Sequence, residues 1–204
     1  MKPALVVLAA GASSRLGRCK ALVRLGGATV LERLLAAGAC LDAQPPLVVT
    51  GADHEAIERA APAGCRVVHN PRWGEGRSTG LLLAHLMLPE RSLCVAPVDV
   101  PLVPPELFAA LARKWEGLGA PSWGWLAPRL ERPGHPGHGR HGHPVVLGPG
   151  LLSRLQSMAP SASLRELRPR AQPLASLACG EVAILDDLDS PRDLELLALR
   201  LAPP

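Results

Sequence analysis

The chain opens on an unbroken apolar run, Ala4-Leu5-Val6-Val7, that gives way to small residues and glycines from Leu8 to Gly17. A short run that is apolar on both faces is the pattern of a strand buried inside a sheet. The pattern returns over 47–50, 65–69, 92–98, 145–147 and 182–185, which predicts five further strands. Between them the spacing becomes helical. Over 29–41, Val30, Leu31, Leu34, Leu35 and Cys40 fall on one face, with Glu32 and Arg33 on the other. Helices are also predicted over 53–61, with Asp53 as N-cap, over 77–88, and over 104–115 with proline in the first turn. Three more are predicted over 151–158, over 163–167 and over 193–201; Ser163 with Glu166 forms a capping-box pattern. Residues 22–27 read as a short extended piece and a turn. From 117 to 144 the periodicity is lost in a stretch rich in Gly, Pro, Trp and His, read as an irregular insertion or β-excursion beside the functional site.

Strands that alternate with helices imply a parallel sheet with right-handed crossovers, whose ligands bind at the C-terminal strand ends. With 204 residues, 48% of them hydrophobic, the chain suits one α/β domain over 1–204, burying about 70% of its surface on folding. The net charge of +4 is mild, and with no Tyr and one Phe no stacking platform is visible, so nucleic acid is not expected as a partner. A modest positive balance suits a small anionic substrate. Cys19, Cys40, Cys65, Cys94 and Cys179 are scattered, with no C-x-x-C, as in a reduced, cytoplasmic protein. Cys19 lies between Arg18 and Lys20, where a thiolate would be favoured; the alternative is an incidental thiol. The apolar run after Lys2 is too short for a signal peptide, and none is long enough to cross a membrane.

The loop after the first strand carries the chemistry. Its small side chains let backbone N–H groups approach anionic oxygens, and Arg15 and Lys20 add positive charge, which suits a polyphosphate. No Gly-Lys-Ser/Thr follows, so it is not a Walker A loop; Gly11 and Gly17 do not make G-x-G-x-x-G. Asp99 stands directly after the fourth strand, either as one of the carboxylates Mg²⁺ needs or as a turn cap before Pro101. A second acidic cluster, Asp186-Asp187-Leu188-Asp189-Ser190-Pro191-Arg192-Asp193, follows the last predicted strand. It is either metal-binding or a solvated helix start, with Asp193 a first-turn acid favoured by the helix dipole. His135, His138 and His141 form a Gly-rich run that could bind Zn or Ni, or simply be a loop.

The pattern L-A-A-G-x-S-x-R-x-G-x-x-K over 8–20 resembles the MobA-like nucleotidyltransferases, which include the molybdenum cofactor guanylyl- and cytidylyltransferases. The resemblance spans nearly the whole chain. It implies a three-layer α/β/α domain with a Rossmann-like, mostly parallel sheet of the nucleotide-diphospho-sugar transferase type. It implies nucleotide binding by Leu8, Ala9, Ala10, Gly11, Ala12, Ser13 and Ser14, with Arg15 and Lys20 catalytic. Asp99 would bind a divalent metal, with Asp189 first and Asp187 second as the other ligand. Asn70 to Leu81 resembles a segment of the cytidylyl branch; Asn70, Ser78 and Thr79 would meet the nucleotide, and Trp73 either the acceptor or its own loop. Gly142-His143-Pro144-Val145 resembles another, with His143 facing the acceptor. The implied activity is Mg²⁺-dependent transfer of NMP from an NTP, CTP favoured, to a phosphorylated small-molecule acceptor such as molybdopterin, with a transient partner receiving the product. The alternatives are a sugar-1-phosphate nucleotidyltransferase and a non-catalytic cofactor- or metal-binding protein.

Overall fold

A computed structural model describes residues 1–42 and 44–201; positions 202–204 of the expected 1–204 domain lie outside it. The strands are β1 (Ala4–Ala9), β2 (Arg24–Leu25), β3 (Ala28–Thr29), β4 (Leu47–Thr50), β5 (Arg66–His69), β6 (Leu93–Pro97), β7 (Trp125–Leu130), β8 (Val145–Leu147) and β9 (Leu174–Cys179). Seven of them form one sheet in the order β5-β4-β1-β6-β8-β7-β9, and β2 and β3 make a separate hairpin. All neighbours in the large sheet are parallel except β8, which runs against both β6 and β7. The helices are α1 (Val30–Ala37), α2 (His54–Ala60), α3 (Ser78–Met87), α4 (Pro105–Gly117), α5 (Pro149–Leu152) and α6 (Pro191–Leu199).

The layering follows from the period of two in β1. Leu5, Val7 and Ala9 enter a core shared with Leu31 and Leu34 of α1 and Phe108, Leu111 and Trp115 of α4. Ala4 and Val6 enter a second core with Leu81 and Ala84 of α3 and Leu151 of α5. Helix starts agree with local chemistry. Thr29 and Ser190 close reciprocal capping boxes with Glu32 and Asp193, and Pro105 occupies the first turn of α4. Asp53 precedes α2 but makes no side-chain cap.

Several expectations change in detail. Residues 182–185 form a 3-10 turn (Val182–Leu185), with the Glu181 carboxylate accepting the Ala183 N–H; a four-residue apolar run does not tell strand from helical turn. The last strand is instead β9, whose Leu-Ala-Ser-Leu-Ala-Cys sequence is only half-buried at the sheet edge and reads weakly. The stretch 117–144 is irregular only in part, because β7 runs through it. Pro128 sits inside β7 because its backbone faces the β8 side: its carbonyl accepts the Gly142 N–H, and β8 pairs only with Trp125 and Leu126. The capping box at Ser163 forms as read but opens a longer 3-10 segment, Leu164–Arg170. The helix predicted over 151–158 divides into α5 and a 3-10 segment, Ser153–Ser157.

Phe108 is fully buried between α4 and the sheet. Phe108→Ala should lower the unfolding free energy by about 3–5 kcal/mol. An equilibrium urea melt checks this, and a loss under about 1 kcal/mol would mean the core refills the space.

Candidate active site

The C-terminal ends of β1 and β6 open into a cleft of about 870 Å³. The loop after β1 is wound around Ser13, which takes a left-handed φ of 51°. Its carbonyl accepts the N–H groups of Leu16 and Gly17, at 3.1 and 3.0 Å. Its hydroxyl accepts the Lys20 N–H at 3.2 Å, and Leu16 is buried as the anchor of the loop. This winding aims Arg15 and Lys20 into the cleft. Each pairs with a different oxygen of Asp189. Arg15 is 74% exposed and Lys20 only 14%, so Lys20 is the fixed charge and Arg15 the mobile one. Burial works to raise the Asp189 carboxyl, but Lys20 and then Arg15 outweigh it and hold it below the usual range.

Asp99 and the second acidic segment are tied together by the backbone, the Leu188 N–H donating to the Asp99 carbonyl at 2.8 Å. Asp187 is pushed above the usual carboxylate range by burial, then by the like charges of Asp189 and Asp99. One carboxylate oxygen of Asp99, Oδ1, is buried with no hydrogen-bond partner. Asp193 is spent on the α6 cap, accepting the N–H groups of Asp189 and Ser190. Among the described residues no three His, Cys, Asp or Glu side chains gather as a ready metal site. The donors left over are Asp99 and Asp187, and one or two carboxylates with phosphate oxygens and water suffice for Mg²⁺.

Of the residues singled out in the sequence, Leu8, Ala10, Gly11, Ser13, Arg15, Lys20, Asn70, Trp73, Ser78, Asp99, His143, Asp187 and Asp189 line the cleft. Ala9 points into the core, and Ala12 and Ser14 are exposed outside the lining. Thr79 is buried behind the wall. The hydroxyls of Ser78 and Thr79 are committed. Ser78 donates toward the Ala159 and Pro160 carbonyls, and Thr79 accepts the Asn70 amide at 2.9 Å and donates toward backbone carbonyls. They therefore brace the loop, and what they offer a ligand is its position. Trp73 packs against Gly51, where a Cβ would stand 2.3 Å from the Ala10 carbonyl and 2.7 Å from the Trp73 side chain.

His143 is held from behind: its N–H donates to the Ile184 carbonyl at 3.0 Å. A Cβ on Gly142 would approach that carbonyl to 2.0 Å, so only glycine allows this seat. Burial lowers the His143 pKa, Asp99 raises it and Arg165 lowers it further. Its Nδ1 is buried without a partner. The upstream histidines do not make a metal site. His135 and His138 each spend Nδ1 on a backbone N–H, of Gly137 and Arg132, while His141 lines the cleft. Of the two readings of Cys19 the structure favours the incidental thiol: burial and then Asp53 push it up, away from the thiolate. Arg165 and Arg168 also line the cleft; the Ser163 cap was the one sign in the sequence of an ordered segment there.

This sheet order, with a glycine-bearing loop after β1 and Asp99 after β6, defines the class: a Rossmann-like α/β domain of the nucleotidyltransferase type. The chain belongs to the MobA-like NTP transferase family, whose domain matches residues 5–174. A curated relative, the bifunctional protein GlmU of Synechococcus sp. (strain CC9605), is 36% identical over 142 residues, 67% of this chain and 31% of its own; the chain thus spans about a third of that relative. Rv0371c from Mycobacterium tuberculosis has the same fold, with a TM-score of 0.77 and 24% identity over 98% of each chain. A second structure of Rv0371c, a complex with manganese, has a TM-score of 0.73 and 23% identity over 98% of each chain. Molybdopterin-guanine dinucleotide biosynthesis protein A from Archaeoglobus fulgidus gives 0.71 and 18% over 96% of this chain and 97% of its own. No helix of the described residues is long and apolar enough to cross a membrane.

His85, His141 and His143 are all held below the ordinary histidine range, in each case chiefly by burial. Between those folded values and the unfolded value of about 6.5, the unfolded chain binds more protons, so stability rises with pH and is lost on acidification through this window. Urea unfolding at pH 7.5 and at pH 5.5 should show a smaller free energy at the lower pH, and His143→Gln should shrink that difference. An undiminished difference in the variant would remove His143 from the set.

Proposed function

We propose that this chain transfers a nucleoside monophosphate from a nucleoside triphosphate to a phosphorylated small-molecule acceptor, releasing pyrophosphate. We favour CTP as donor and a molybdopterin-like acceptor. One observation carries the reading: Arg15 and Lys20 converge on Asp189 at the cleft mouth, with Asp99 and Asp187 beside them. An oxygen of the acceptor phosphate attacks the α-phosphorus. The bond to the bridging oxygen breaks, and its electron pair leaves with pyrophosphate. The second pKa of a phosphate is about 6, so the attacking group is already largely ionised at neutral pH. No general base is required, and the barrier is the meeting of two anions.

The roles follow from exposure and pairing. Lys20, held within the loop, supplies fixed positive charge to the triphosphate; Arg15 is free to leave Asp189 for a phosphate oxygen. Asp99 and Asp187 fit Mg²⁺, because one has an unpartnered buried oxygen and the other is pressed by like charges. Asp189, expected first, is placed behind Asp187 in this assignment because both its oxygens are engaged by cations. When bound, the ion would draw charge from the α-phosphate and the departing pyrophosphate; the manganese complex of Rv0371c supports a divalent ion on this fold. Leu8, Ala10, Gly11 and Ser13 line the nucleotide half, and Asn70, Ser78 and Thr79 hold the loop against which the base lies. Trp73, 38% exposed, and His143 face the acceptor. The Leu-Ala-Ala-Gly and Gly-His-Pro-Val segments support the cytidylyl choice.

Pyrophosphate release with Mg²⁺ tests the reading, with CTP, GTP, ATP and UTP each paired with molybdopterin and with a panel of sugar phosphates. Release is expected with CTP and molybdopterin; release with a sugar phosphate alone keeps the chemistry and replaces the acceptor. Lys20→Ala should cut kcat by about 10²–10³ while the melting temperature stays near that of the unaltered protein. Full activity in Lys20→Ala, or no nucleotide binding by the unaltered chain, overturns the proposal.

A further inference from the structure

The phosphate loop and the carboxylates form one part of the cleft lining. The 3-10 segment Leu164–Arg170 brings Arg165 and Arg168 into the same lining, where His143 feels the charges of both Arg165 and Asp99. Arg168 is half-buried, its guanidinium carbon lying 5.9 Å from the centroid of the Trp125 ring. Its Nε is buried with no hydrogen-bond partner. Among the described residues neither arginine belongs to an ion pair. Arg15, in the same lining, is ion-paired with Asp189. A cation drawn out of water without a counter-charge costs free energy. The face of Trp125 recovers part of that cost, but an aromatic face leaves the N–H fork unsatisfied. Near it, Nδ1 of His143 is also buried without a partner, and His143 feels the charge of Arg165. Two arginines and two orphaned nitrogens thus face one volume.

We infer that this arginine-lined part of the cleft is a receptor for an anionic group of the acceptor, a phosphomonoester or a like oxyanion, and that Arg168, over the face of Trp125, fixes its position with Arg165. The inference rests on the transferase reading for calling the ligand an acceptor, but not for the anion site itself. A planar guanidinium set against a ring face presents two parallel donors to an oxyanion. With the triphosphate on the loop and the acceptor phosphate on the arginines, both anions face the carboxylates, and the phosphate the arginines hold is the one whose oxygen attacks. The acceptor is thereby oriented by charge before any contact with its neutral parts.

Glycerol 3-phosphate, titrated into the full chain and followed by phosphorus NMR, tests the site, with glycerol as the neutral control in competition. The phosphomonoester should bind and glycerol should not compete. Arg168→Gln should weaken binding at least ten-fold, Arg168→Lys should restore part of it, and Lys20→Ala should leave it within two-fold. Thermal melts show which variants fold; if Arg168→Gln does not, Arg168→Lys and Arg165→Gln carry the test through a weaker but measurable loss. Absence of binding to the unaltered protein overturns the inference. So does equal binding in the arginine variants, or loss confined to Lys20→Ala, which would put the anion on the phosphate loop. CTP binding is measured separately. If CTP does not bind but Arg168-dependent phosphomonoester binding persists, the transferase reading falls and the anion receptor stands.

Discussion

Three aspartates brought to one edge of a sheet repel one another, and the site is arranged around containing that repulsion. Asp189 is neutralised by Arg15 and Lys20. Asp187 is not, and its carboxyl is driven toward the protonated form by burial and by its two neighbours. The fold enforces the proximity through the backbone. The Leu188 N–H on the Asp99 carbonyl holds the second acidic segment against the end of β6 whatever the carboxylates prefer.

Close approach is the second means of containment. Gly142 allows the segment carrying His143 to lie on the Ile184 carbonyl, which joins the histidine to the turn that leads into Asp186. Gly51 lets Trp73 and the Ala10 carbonyl share one space, so the loop after β5 and the loop after β1 are packed as one surface. Both glycines act by lacking a side chain, and the close approach each permits is nonlocal.

The four central strands and the helices between them were legible because each is a run of consistent character, apolar on both faces in β1, β4 and β6 and amphipathic in α1 and α4. The phosphate loop and its two cations were legible as a local pattern. The far half of the sheet was less so. β7 contains Pro128 and Arg129, and β9 is an edge strand of mixed small residues; their strand character comes from pairing with each other, which is nonlocal. The Val182–Leu185 run was apolar for a different reason, since Ala183 and Ile184 plug the core from a 3-10 turn. That Asp189 rather than Asp187 takes both cations was not accessible either, because it turns on which carboxylate Arg15 and Lys20 reach in space. Cys19 makes the same point in reverse: its sequence neighbours are cations, but burial and Asp53 decide its state.

The two halves of the cleft therefore differ in how their charge is balanced, and that difference bears on the order of events. At the loop after β1 the cations are already paired with Asp189, so an anion binding there, such as the proposed triphosphate, would compete with that carboxylate and gain only the difference between two ionic contacts. At the arginine wall no such pair exists among the described residues, so an anion binding there meets no internal competitor. Drawing Arg15 away would leave Asp189 with Lys20 alone and add negative charge beside Asp99 and Asp187. Under the proposed function, nucleotide and divalent cation would thus be coupled through Asp189, while the acceptor's anion would meet arginines that no carboxylate of the described residues engages.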